Sequence, residues 1–254
     1  MGDRIRKILM GVFSLIAVLC GAYLIWYYIW MPRENMGTAE EYEEYKIESN
    51  EETPEAAEPV EIPIDFASLQ AQNPEVCAWI RIEDTHIDYP IVQSRTDEEF
   101  YLEHSWEGNY SPAGAIFIQT YNAADFTDYN TVIYGHRMGN GNETMFHDVH
   151  NYMDMDYLKS HQNITVYTRD HIRSYKVFAA VVYDDRLIPV SFDFSAESGR
   201  QAFLDSLYAS EDVRNQFAEG VEVTPEDRII TLSTCLESEP HHRFLLGAVL
   251  VDEK

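Results

Sequence analysis

Basic side chains are scarce in this chain. Eighteen lysines and arginines stand against 44 aspartates and glutamates, a formal net charge of −26 over 254 residues. Phosphate recognition needs basic surface, so nucleic acid is excluded as a partner. Cysteine is scarcer still, with only Cys20, Cys77 and Cys235. Cys20 falls in an apolar run, and two remaining cysteines are too few for a disulfide framework in a domain of this size. A Cys77–Cys235 bridge is compatible with the sequence, but Val76, Trp79, Ile80 and Ile82 surround Cys77 as they would an ordinary buried small side chain. There is no internal repeat. Neither His147-Asp148-Val149-His150 nor Glu239-Pro240-His241-His242 has a strong zinc spacing, so no metal is expected. The sequons at Asn142 and Asn163 are generic. Position six is Arg6 rather than Ser or Thr, which rules out N-myristoylation at Gly2.

Charge is absent altogether from residues 8–31. About 20 apolar residues cross a bilayer as a helix, so this run is long enough with some tilt. Trp26, Tyr27, Tyr28 and Trp30 at its far end suit an interfacial aromatic belt. Arg4, Arg6 and Lys7 precede it, which keeps residues 1–7 cytoplasmic and places everything after the span outside. A cleaved signal peptide would have a shorter apolar core and a small-residue cleavage site, so an uncleaved signal-anchor is expected. Residues 32–61 are dominated by acids, and Lys46 is the only base after Arg33. They read as a solvated, self-repelling linker. The folded domain is expected over residues 62–254.

Within it, Asp65 is a plausible N-cap for a short helix before Pro74. Extended runs follow at 79–83, 87–92, 115–118, 131–134, 164–167 and 174–183, then 229–234 and 244–251. Thr96 to Glu99 has the pattern of a capping box for a helix reaching Leu102. Phe203, Leu204, Leu207 and Tyr208 recur at helical spacing, which predicts one amphipathic helix over 195–208. Many short strands with few helices imply a mainly β, antiparallel, barrel-like sheet carrying peripheral helices.

Three residues stand out chemically. Arg228 to Cys235 reads as a buried strand ending in a lone cysteine, and Arg243 opens the next strand after a short polar loop. An antiparallel hairpin would set the Arg243 guanidinium beside the Cys235 sulfur and favour the thiolate. Thr131 to Tyr134 is an apolar strand that stops at Gly135 and His136. Cys235, His136 and Arg243 are thus a candidate nucleophile, proton-transfer group and oxyanion stabiliser. The plainer readings are a structural cysteine, a satisfied histidine, and an arginine paired with Glu237 or Glu239. Ile229, Thr231, Ser233 and Cys235 share one strand face, partly polar as a groove floor would be.

Thr231-Leu232-Ser233-Thr234-Cys235, with Arg243 following, resembles the signature of the sortases, particularly class B. Trp79 to Ile82, Ile87 to Val92, Gly114 to Phe117, Thr131 to His136 and Met145-Phe146 fall in that family's order, so the resemblance runs from about Phe66 to Val251. It implies a closed eight-stranded β-barrel with N-terminal helices and a longer helix before the last two strands. It also implies a membrane-anchored cysteine transpeptidase of a Gram-positive cell surface that needs no cofactor. Its partners would be secreted proteins bearing a C-terminal sorting signal, and an amine of a peptidoglycan cross-bridge or a pilin lysine. By the same resemblance Cys235 forms a thioester, His136 acts as acid and then base, and Arg243 holds the oxyanion or the substrate backbone. Ser233 would line the groove, and Ile188 would grip the signal. Some class B members carry an acidic residue soon after the cysteine. Here Leu236 and Glu237 follow, and no role carries over to Glu237. A cysteine peptidase ending in hydrolysis and a non-catalytic binding module are the alternatives.

Overall fold

The computed structural model describes residues 10, 13, 16–24, 42–47, 61–139, 143–237 and 239–254. Residues 16–24 are helical. Among the described residues no helix is long and apolar enough to cross a membrane. Apart from Met10, Phe13 and this helical stretch, the span expected at 8–31 lies outside the described residues, as do much of the linker and Asn142.

Nine strands form one sheet: β1 (Val76–Arg81), β2 (Asp88–Val92), β3 (Ile116–Ile118), β4 (Asn130–Tyr134), β5 (Asn163–Tyr167), β6 (Ile172–Asp184), β7 (Gln216–Phe217), β8 (Ile229–Leu236) and β9 (Glu239–Glu253). Their order is β5-β1-β2-β3-β4-β8-β9-β6-β7, and β5 also pairs with β6. That last pairing closes eight strands into a barrel and leaves the short β7 as an appendage on β6. Closure removes the open edges that would otherwise invite aggregation. Trp79, Ile80, Ile91, Val92, Ile133, Leu232, Phe244 and Leu246 are among its fully buried side chains.

The expectation of an antiparallel sheet needs correcting. β2 and β3 are parallel, with Ile91 opposite Ile116, and so are β4 and β8, with Tyr134 opposite Ser233. Parallel neighbours need long crossovers. Residues 93–115 and 135–228 supply them, and hydrophobic alternation within a strand carries no sign of its partner's direction.

Four α-helices lie on the barrel: α1 (Phe66–Gln72), α2 (Met155–Ser160), α3 (Ile188–Ser191) and α4 (Glu197–Tyr208). Asp65 caps α1 as its sequence position suggests, accepting from the Ser68 amide at 3.0 Å. The helix expected over 195–208 begins two residues later, because Asp193 engages the Ser195 amide and hydroxyl in a preceding turn. Phe203, Leu204 and Leu207 bury against Tyr129, Val132, Val181, Ile229, Leu245 and Val249 on the outer face of β4, β6, β8 and β9. Tyr208 instead remains exposed and stacks on Phe217 at 5.0 Å. The capping box at Thr96 does not form either: only the 3-10 turn Phe100–Leu102 is helical. Ser94 Oγ accepts from the Thr96 and Asp97 amides, and Asp97 accepts from Glu99, so local side chains satisfy the amides a helix would have used.

The packed domain also reaches back before residue 62. Tyr42 and Tyr45 are buried, with Tyr42 edge-on to Trp79 and Tyr89, and Tyr45 edge-on to Trp106. Lys46, the lone base of the acidic tract, pairs with Asp88 at 2.6 Å and Glu43 at 2.7 Å.

Gly199 sits in the first turn of α4, where a Cβ would overlap the Asp193 carbonyl oxygen. Alanine ordinarily gains about 1 kcal/mol over glycine inside a helix. Here backbone overlap outweighs propensity. Gly199→Ala is therefore expected to lose about 1–3 kcal/mol, read as a lowered midpoint in urea; a raised midpoint would refute the close approach.

Candidate active site

The parallel pairing of β4 with β8 ends both strands at the same barrel rim. With Tyr134 opposite Ser233, the next residues continue in step, and the Gly135 amide donates to the Ser233 carbonyl at 3.2 Å. His136 then emerges level with Cys235. Gly135 has no room for a side chain, since a Cβ would meet Ile116 at 2.5 Å and the Phe146 ring at 2.7 Å. His136 is half-buried, and its Nε2 lies 2.8 Å from the Leu102 carbonyl in the Phe100–Leu102 turn. A carbonyl only accepts, so Nε2 carries the hydrogen and the lone pair of the neutral ring sits on Nδ1.

Cys235 is the single exposed position in β8; its seven companions are buried. The antiparallel register sets it opposite Arg243 on β9, and a bulge follows between Cys235 and Leu236. Arg243 also faces Tyr183 across the β9–β6 pairing. Its Nη1 donates to the Pro240 and His242 carbonyls at 3.1 and 3.0 Å, which folds the guanidinium onto its own turn. The carboxylates that might have claimed it are taken elsewhere. Glu237 pairs with Arg137 at 2.5 Å, and Glu239 pairs with Arg214, which also binds Asp212. Among the described residues Arg243 makes no ion pair with a carboxylate. It stays available to a developing negative charge.

His136, Cys235 and Arg243 line one groove of about 320 Å³. Ser233 and Ile188 line it too, though both are nearly buried and Ile188 belongs mainly to the core under α3 and α4. Thr231 does not reach the groove: it is fully buried and donates to Asn130 Oδ1. Thr234, from the signature segment, lines it as well, and other lining residues carried no sequence signal, among them Gln119 and the segment Asp184 to Arg186. Tyr134 lines the groove too, and its place at the end of β4, two residues before His136, is the sequence signal for it. Burial pushes its phenol well above the ordinary value. The Tyr134 hydroxyl, Thr234 Oγ1 and Gln119 Oε1 are all buried without a protein partner.

The other sequence candidates fall outside this arrangement. Cys77 lies on β1, with β2, β3 and β4 between it and β8. Strands are spaced about 4.8 Å apart, so the two cysteines are far beyond the ~7 Å a bridge can span, and both are free. Cys77 donates weakly to the Ile91 carbonyl, and burial pushes its thiol up to about 12. His147 Nδ1 engages the Met138 carbonyl, while His150 stacks on Phe244 at 5.4 Å, directly behind the nucleophile strand. Among the described residues no group of three or more metal-ligating side chains converges.

A cysteine, a histidine and an arginine around one groove on the rim of a closed barrel define an enzyme built for acyl transfer through sulfur. The Sortase domain family matches residues 80–251. Sortase B of Listeria monocytogenes is 35% identical over 181 residues, 69% of this chain and 68% of that protein. A Staphylococcus aureus sortase B–substrate complex superposes with a TM-score of 0.64 at 29% identity, covering 74% of this chain and 85% of the other. A Bacillus anthracis protein similar to sortase B gives 0.66 at 30% identity, covering 83% and 90%. The chain belongs to the sortase family and is a sortase B-like cysteine transpeptidase.

Two outcomes follow from the buried titratable groups. Burial, the first cause, lowers His150 from its usual value to about 4, reinforced by Arg137; a hydrogen bond to the Cys235 backbone opposes it. The unfolded chain therefore binds a proton that the folded chain refuses between about pH 6.5 and 4. Stability should fall as pH drops through that window, and His150→Phe, which keeps the stack on Phe244, should flatten the fall in urea midpoints. Brief iodoacetamide treatment at pH 8 should alkylate Cys235 and spare Cys77, as read by peptide mass mapping.

Proposed function

We propose that this protein is held in the cell membrane by a helix over residues 8–31, with its N-terminus cytoplasmic and its barrel outside a Gram-positive cell. There it cleaves a C-terminal sorting signal of secreted proteins and joins the new carboxyl end to an amine of the cell wall or of a pilin. The convergence of Cys235, His136 and Arg243 on one groove is the observation that carries this reading. A substrate complex of the S. aureus relative adds support.

The Cys235 thiolate attacks the scissile carbonyl carbon and forms a C–S bond, while the oxygen takes up the negative charge beside Arg243. Collapse breaks the C–N bond. The departing amine takes a proton from the His136 imidazolium, leaving a thioester and a neutral ring. In the second half, an acceptor amine attacks the thioester and His136 takes its proton. The C–S bond then breaks and Cys235 leaves as thiolate. The Cys235 thiolate and the His136 imidazolium are regenerated, and no cofactor enters the balance. A membrane tether would raise the local concentration of signals emerging from the secretion machinery.

The test is incubation of the full chain in detergent micelles with a panel of quenched sorting-signal peptides, with and without an amine, and mass analysis of the products. Amide product that disappears in Cys235→Ala is expected. Arg243→Gln should lose about 10²–10³ in kcat/KM and His136→Gln about 10²–10⁴. Acid as the sole product with every amine would make the protein a peptidase, and cleavage that survives Cys235→Ala would refute the mechanism.

A further inference from the structure

A second cavity, of about 330 Å³, also borders the nucleophile, lined by Arg137, Gly139, His147, Cys235, Leu236 and Glu237. It shares Cys235 alone with the active-site groove. We propose that this second cavity receives the acceptor as a primary ammonium, with Glu237 and His147 as its hydrogen-bond acceptors. The inference rests on the transpeptidase reading above.

Geometry and charge both point there. In the acyl-enzyme the acyl chain occupies the groove of His136 and Arg243 and its carbonyl carbon is bonded to Cys235. The incoming amine must take the place the departing amine vacated, because deacylation retraces acylation. That place lies beside the carbonyl carbon and outside the space the acyl chain fills, and the second cavity is a further space that Cys235 borders. Its walls carry what an ammonium needs. Arg137 occupies Oε2 of Glu237, which leaves Oε1 to accept. His147 Nδ1 faces the Met138 carbonyl and so carries the hydrogen, which leaves Nε2 of the neutral ring as a second acceptor. The buried Leu236 supplies an apolar wall for the carbon chain behind the nitrogen.

The step balances. The bound ammonium loses one proton to solvent, and the freed amine attacks the thioester carbon. A C–N bond forms as the C–S bond breaks. The second N–H proton passes through His136, so that one amide, one cysteine and one released proton result.

A peptide N-terminus and a lysine side chain both present such an ammonium, and triglycine and Nα-acetyl-lysine amide separate the two. With the full chain in micelles and a cleaved signal peptide, the ratio of amide to acid product is followed against the concentration of each amine. Glu237→Gln should raise the half-saturating amine concentration roughly twofold to fivefold, the scale of one exposed ion pair, and Glu237→Asp should recover part of it. The amine with the larger shift names the acceptor type. An unshifted ratio overturns the proposal, as does a proportional fall of acid and amide, which would make Glu237 a support for the turn. A second measurement needs no signal peptide: Cys235 is labelled with a cationic and with an anionic methanethiosulfonate. Glu237→Gln should lower the cationic-to-anionic rate ratio by a similar factor, and an unchanged ratio overturns the assignment. If no peptide is cleaved by the unmodified chain, the transpeptidase reading fails while the labelling result still stands.

Discussion

The parallel pairing of β4 with β8 is the constraint on which the site depends. Antiparallel strands would deliver His136 and Cys235 to opposite rims of the barrel. Parallel strands in the register Tyr134 to Ser233 deliver them to the same rim and the same level. The pairing is held by burial rather than by local sequence: Asn130, Thr131, Val132 and Ile133 on one side and Ile229 to Ser233 on the other are all buried. Antiparallel β9 then adds Arg243 opposite Cys235. Three reactive groups thus inherit their spacing from backbone hydrogen bonds inside a closed sheet, which hold position more tightly than surface loops do.

Two guanidinium groups add side-chain ties at the hairpin end between Cys235 and Arg243, where the sheet pairs Leu236 with Glu239. Arg137, the residue after His136, reaches Glu237, the second residue after Cys235. Arg214, ahead of β7, grips Glu239 where β9 begins and is itself braced by Asp212, whose carboxyl the Arg214 guanidinium holds down at about 2. Pairs this exposed contribute little to stability. Their consequence is positional. By occupying both glutamates, they leave Arg243 without a carboxylate partner among the described residues, its Nη1 donating to carbonyls of its own turn. An Arg243 neutralised by Glu237 or Glu239 would have less to offer an oxyanion.

The sequence made much of this visible, and the boundary of what it showed is physical. The hairpin relation of Cys235 to Arg243 was legible because both lie within eight residues, and a short loop between apolar runs admits few geometries. The helix α4 was legible from the spacing of Phe203, Leu204 and Leu207. The direction of β8 relative to β4 was not, since the two are about a hundred residues apart and alternation does not encode partner direction. The same distance hid the Arg137–Glu237 pair. The Leu102 carbonyl that orients His136 is a backbone atom and has no sequence signature. At Thr96 the local pattern misled, because Ser94 and Asp97 offered the backbone nearer partners than a helix would. At residue 62 composition misled in the other direction: an acidic, aliphatic-poor tract looks solvated, yet Tyr42, Tyr45 and Lys46 fasten it to Trp79, Trp106 and Asp88.

The burial pattern of β8 explains how one strand serves both stability and chemistry. Seven of its eight residues are buried, and the cysteine alone is not. A thiol deep in the sheet would share the fate of Cys77, whose burial favours the protonated form and removes the nucleophile at physiological pH. A thiol on a free loop would be reactive but unaimed. Cys235 lies one residue from the end of β8, just before the bulge that releases the chain into the turn, so its backbone is fixed by pairing with Arg243 while its sulfur meets solvent. That position also opens it to both cavities at once. A nucleophile that must bond a substrate carbonyl and then leave its thioester open to attack can occupy few places in a closed barrel, and the rim of a strand paired on both sides is one of them.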